Sequence, residues 1–163
     1  MASDATNSEQ TVSQYQPIAD LLNNPTRRQS LIGDCVLLIE SQVSQKTGLY
    51  GIAVKTAFAA IQRLSPRIIY KAMDALIDDL ATCLEPFIRK DPSHIVATFT
   101  AERNEICTRL LEVSDNRVNG VDIDLIQSIY RKLRPKADKH IIPTIPDIGI
   151  MIQHHLSKTT ISE

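Results

Sequence analysis

Between positions 68 and 87 the apolar residues leave room for one kind of backbone. Ile68, Ile69, Ala72, Met73, Leu76, Ile77, Leu80, Leu84 and Phe87 recur three or four positions apart, with Lys71, Asp74, Asp78 and Asp79 between them. At about 3.6 residues per turn this spacing makes a broad apolar stripe with a polar side opposite. A strand would scatter the same residues over both of its faces. The spacing recurs in Leu31, Cys35, Leu38, Ile39 and Val43, then in Ile95, Phe99, Ile106, Leu110 and Val113, and again in Leu125, Ile126, Ile129 and Leu133. No alternating run is closed by a hairpin turn, so the expected fold class is all-α.

Punctuation divides the pattern. Asn24 caps a helix whose first position is Pro25. Gly48 and Gly51 mark a connection, Pro66 a stop, and Pro86 with the segment 89–93 another. Ser93 is placed to cap a fourth long helix, with Glu102, Glu105, Arg109 and Glu112 facing outward. Asp122 is placed to cap the next, and the segment 135–156 must kink or break near Pro143 and Pro146. Ahead of all this, 17–22 reads as a turn or two of surface helix. Residues 1–16, rich in Ser, Thr, Asn and Gln, read as a disordered tail.

The stretch 48–66 holds no acid and only two bases, Lys55 and Arg63. With Ile52, Ala57, Phe58, Ala60, Ile61 and Leu64 it has little polar surface, which places it centrally among neighbours. Its alanines then mark close backbone approach, and Lys55 reaches the rim by its aliphatic stem.

The order of elements repeats at an offset of 69 residues. Leu64 aligns with Leu133, Pro66 with Pro135, Arg63 with Lys132, Arg67 with Lys136 and Gly51 with Gly120. Shared Leu-x-Pro breaks in the same order favour an internal duplication over chance likeness of amphipathic helices. The expected architecture is a six-helix bundle of two similar three-helix halves, about 25–90 and 93–156, within one helical domain at 17–163.

Ser44, Lys46, Gly48, Leu49, Gly51, Ala53 and Lys55 form an S-x-K-x-G-L-x-G-x-A-x-K stretch. With the Leu-x-Pro segments it resembles an uncharacterised bacterial all-helical family, a domain of unknown function, over about residues 25–156. The resemblance implies the helical fold and no activity.

Composition narrows the functions. The 163 residues, 43% apolar, suit one domain or two small halves sharing a core. A net charge of −1 and a pI near 6.4 supply no field that would draw in nucleic acid. With 4% aromatic residues and no Trp, base- or sugar-stacking platforms are poorly supplied. Cys35, Cys83 and Cys107 lie far apart among apolar neighbours and read as buried thiols. The polar N-terminus lacks a signal-peptide pattern, and no apolar run approaches the roughly 20 residues of a membrane span, so the expected location is cytoplasmic.

Candidate sites are sparse. A calcium loop starting at Asp115 fails at positions 3, 8 and 12, where Arg117, Asp122 and Ile126 stand. His154 and His155 are adjacent and point about 100° apart on a helix, which suits a surface pair at a helix end better than one metal. His94 and His140 have no ligand-spaced partner. Asp74, Asp78 and Asp79 read as a solvated face. No metal, cofactor or catalytic set is expected. Lys55, Tyr70, Lys71, Tyr130 and His140 are the candidates for a ligand pocket between the halves. Arg131, Lys132, Arg134, Lys136 and Lys139 are the candidates for anion binding, with Arg27 and Arg28 as a second patch.

Two classes of function follow. The first is a non-catalytic interaction or scaffold module, its partner another protein or a second copy, drawing on Ile145, Ile148, Ile150, Met151 and Ile152, which nearly encircle the last helix. The second is a small-ligand binder or enzyme with its site between the halves. Weak polyanion binding through 131–139 is a further alternative.

Overall fold

The computed structural model describes residues 15–158, so the tail expected at 1–16 lies outside the described residues except for Tyr15 and Gln16. The described chain is helical, without a strand: α1 Pro17–Asn23, α2 Pro25–Gln45, α3 Gly48–Gln62, α4 Ile68–Lys90, α5 Ile95–Ala101, α6 Arg103–Val118, α7 Asp124–Leu133, α8 Ala137–Ile141 and α9 Ile145–Ser157. Single 3₁₀ turns, Arg134–Lys136 and Ile142–Thr144, flank α8. Among the described residues no helix is long and apolar enough to cross a membrane.

Some boundaries follow the local chemistry. Asn24 Oδ1 accepts from the Thr26 and Arg27 amides, both at 3.1 Å, with Pro25 in the first position. The break near Pro143 is the second 3₁₀ turn. Other boundaries depart from the sequence reading. Pro86 does not help to end α4: it withholds an N–H from the preceding turn, yet Leu84, Phe87 and Ile88 are buried around it and hold the helix to Lys90. The long helix expected from Ser93 is two, α5 and α6, which turn a corner at Glu102 (φ −104°, ψ 18°), where Lys90 Nζ holds the carboxylate at 2.6 Å. His94, not Ser93, is the residue before α5, and Ile123, not Asp122, precedes α7.

One hydrophobic cluster draws on α1, α2, α4, α5, α6 and α9. This corrects two expectations. The short α1 is no surface turn, because Ile18, Leu21 and Leu22 are all buried. The alanine-rich α3 is not central, because Gly51 is its only buried residue while Leu49 is 88% and Ile52 64% exposed. Apolar residues distributed round α3 give it no single face to bury, whereas α4 concentrates its own into one stripe. Lys55 is simply exposed. The core is thus not the expected set of six helices: α3, α7 and α8 lie outside it, and α1 lies within.

Helix α9 lies close on α5 at Gly149, where an added Cβ would stand 3.0 Å from Phe99 Cβ, so Phe99 would have to give by a few tenths of an ångström.

Glu85, on α4 beneath α1, is the exception in this core. It is 6% exposed, and neither carboxylate oxygen has a hydrogen-bond partner. Burial pushes its pKa up to about 7, against Arg89 and the Ile18 backbone, which favour the charged form. A raised acid pKa means the folded state holds its proton more tightly than the unfolded chain. Stability from this group is therefore complete below the ordinary value near 4.5 and lost as pH rises through about 7. Glu85→Gln, which cannot ionise, should raise stability at pH 8 relative to wild type by about 1–3 kcal/mol and leave it near wild type at pH 4. Urea melts at the two pH values measure the difference, and equal offsets at both would show that Glu85 does not titrate in the fold.

Candidate functional site

The helices of the core leave space where mostly aliphatic side chains meet. Between α2, α4, α6 and α9 lies a cavity of about 180 Å³ walled by Leu38, Ile39, Leu80, Leu110, Ile148 and Met151, among others. Its one hydroxyl, on Ser114, donates to the Leu110 carbonyl at 3.1 Å, as helical serines do. Its one thiol, on Cys35, is pushed up to about 12, by burial first and by Asp34 second, so it stays protonated and unreactive. Water gains nothing from such walls.

A second cavity, about 310 Å³, shares Leu38, Ile39, Ile141 and Ile148 with the first and extends outward to α3 and α8. The two adjoin along these four side chains, together termed the channel, and the outer one reaches Lys46, Tyr50 and His140 at its mouth.

The glycine-rich connection builds this mouth. Gly48 has φ +70°, a backbone conformation that disfavours side chains. A Cβ on Gly51 would lie 2.6 Å from the Lys46 carbonyl carbon, so only glycine lets α3 fold back so tightly on the end of α2. Tyr50 is thereby laid flat on His140, ring centroids 3.9 Å apart and planes 3° from parallel. Lys46 Nζ donates to the His140 carbonyl at 3.3 Å, and the Tyr50 hydroxyl to the Leu133 carbonyl at 3.5 Å. Burial, then Lys46, Lys139 and Lys136, hold the His140 imidazole below its ordinary range, while burial pushes the Tyr50 phenol up. Both groups are neutral near pH 7. Among the described residues at this mouth no nucleophile, base and orienting group stand together.

The residues expected at a site are mostly elsewhere. Of the five pocket candidates only His140 lines the channel. Lys55 is exposed on α3, Tyr70 lies beneath the Arg67 guanidinium at 4.3 Å, and Lys71 donates to Ser65 Oγ at 3.1 Å. Tyr130 donates to Asp115 Oδ1 at 2.5 Å, and burial with that bond pushes its phenol up. Arg134 donates to both oxygens of the same carboxylate, at 2.8 and 3.0 Å, which removes it from any free anion patch. Arg131 and Lys132 are exposed at the end of α7, while Lys136 and Lys139 lie beside His140.

The other charges are similarly engaged. Arg28 bonds Asp74 and Asp78, and Arg117 bonds Asp79, so the expected solvated acids are surface ion pairs. Arg27 donates to the His155 carbonyl at 2.9 Å. His155 is not a surface residue: it is buried, its Nε2 lies 2.6 Å from Asp34 Oδ2, and only His154 faces out. Among the described residues no three His, Cys, Asp or Glu side chains are placed to hold a metal ion. The sequence reading missed Lys46 and Tyr50; the signal was the pair of glycines three positions apart, which a tight return of the chain requires.

Comparison with known proteins adds the ancestry of the chain and no activity. No curated protein and no solved structure matches it. A family model does match, over residues 18–156, nearly the whole of the described chain. With that extent of agreement, the chain belongs to the family described as Family of unknown function (DUF6918).

Proposed function

We propose that the chain is a non-catalytic helical binding module whose ligand occupies the apolar channel. The observation that carries this reading is the wall of the inner cavity: α2 and α4 supply one side, α6, α8 and α9 the other, and its one hydroxyl, on Ser114, is already bonded to the Leu110 carbonyl. Sites between packed helices are common, and a dry aliphatic cavity binds apolar molecules for want of better-packed neighbours. An internal duplication fits the same layout. α3 packs on α7, α4 on α6 and α9 on α2, the pairs that two related halves would exchange. The channel then lies along their seam.

The test uses the neutral fluorophore N-phenylnaphthylamine. Wild type should bind it saturably, with one site per chain. Ile39→Phe and Leu110→Phe each fill the channel and should reduce binding at least tenfold while keeping a cooperative melt. Equal binding by wild type and both filled variants, or no saturable binding at all, would overturn the reading.

A second reading, self-association through α3, is favoured by one observation. Leu49 and Ile52 are exposed one turn apart, and Lys55 is the single charge on the outer face from Leu49 to Ala59, so a second copy covers it without burying an acid. Sedimentation equilibrium should then give a dimer that Leu49→Asp converts to monomer. A wild-type monomer at high concentration excludes it.

A further inference from the structure

We propose that the channel's ligand is an unbranched aliphatic monocarboxylate, its chain along the apolar walls and its carboxylate at the mouth between Lys46 and the Tyr50 hydroxyl. This rests on the channel reading and adds the chemical class of the ligand.

Three observations converge on it. The first is placement: cavities of about 310 Å³ and about 180 Å³ adjoin along Leu38, Ile39, Ile141 and Ile148, and a ligand that uses both must pass between those side chains, as a slender chain can and a fused-ring body cannot. The second is an unspent charge. Among the described residues Lys46, Lys136 and Lys139 meet no carboxylate, as is also true of exposed cations such as Lys55 and Arg131, but these three cluster at one cavity. Lys46 is half-buried, and its one contact is a 3.3 Å bond to a neutral carbonyl, which leaves ammonium N–H donors for an anion. Asp138, the nearest acid in sequence to Lys139, is turned back to accept from the Lys139 amide at 2.9 Å. The third is the neutral company of that charge. Tyr50 can reorient its hydroxyl from a long 3.5 Å bond toward a carboxylate, and His140 is held uncharged against its ring. One ammonium with one hydroxyl matches a single negative charge. A phosphate dianion calls for more donors, such as an arginine fork.

Burial of the chain and pairing of the head are separable. Each added methylene should tighten binding by about fourfold until the channel is full. The carboxylate should add about tenfold over a neutral head.

Displacement of bound N-phenylnaphthylamine from the full chain tests both, with octanoate, dodecanoate, dodecanol and dodecyl phosphate held below their micelle concentrations. Dodecanoate should outcompete octanoate, and should outcompete dodecanol and dodecyl phosphate by about tenfold. Lys46→Met should abolish the preference over dodecanol while leaving dodecanol itself bound. Tyr50→Phe, which keeps the stacked ring, should weaken that preference without touching dodecanol, and it serves if Lys46→Met does not fold. If dodecanoate and dodecanol displace equally from wild type, or the preference survives both variants, the assignment of the head is overturned while the channel reading stands. Dodecyl phosphate displacing best overturns the monocarboxylate. If the fluorophore binds and no amphiphile displaces it, the ligand class is wrong; if the fluorophore itself does not bind, the channel reading has failed first.

Discussion

The position of α9 depends on an absent side chain. With no Cβ at 149 the helix seats directly on Phe99; an added Cβ would stand 3.0 Å from Phe99 Cβ and ask that side chain to give by a few tenths of an ångström. Seated there, α9 turns Ile148, Met151 and Ile152 toward α2, α4 and α6. These are aliphatic walls facing aliphatic walls. The chain has three Phe and no Trp with which to fill remaining space, and two of the three, Phe87 and Phe99, are buried elsewhere in the core. Where Leu, Ile and Met of these helices meet, their shapes do not fully complement one another, and the space left is the inner cavity.

The parts of this fold legible in the sequence are those governed by neighbours along the chain. The stripe on α4, the Asn24–Pro25 start and the break at Pro143 are local matters of periodicity, capping and a missing N–H. The peripheral position of α3 was not legible. Its high apolar content says that it avoids water, but only a one-sided arrangement says which way it faces, and α3 has none. The opposite error fell on α1, read as a turn or two of surface helix; Ile18, Leu21 and Leu22 are all buried. The corner at Glu102 was hidden too, since Phe99 and Ile106 sit seven apart and read as one helical face.

Among site residues the same division holds. His140, Lys136 and Lys139 lie within five positions of one another and were each singled out, His140 for a pocket and the two lysines for an anion patch. Lys46 and Tyr50 join them only because the chain returns on itself through Gly48 and Gly51, then across 94 residues to the His140 carbonyl. Arg134 and Tyr130 looked available and are not, because Asp115, 19 and 15 residues earlier, takes both. Charge pairing between distant turns follows from the packing of α6 against α7, which no spacing rule reports.

The most direct measurement is a crystal structure of the full chain under xenon pressure. Xenon enters apolar cavities that water leaves empty and needs no assumption about the natural ligand. The account predicts xenon density among Leu38, Ile39, Ile141 and Ile148, where the two cavities join, and none there in Ile39→Phe crystals. Side chains closed over that position in the wild-type crystal, with xenon absent, would contradict it.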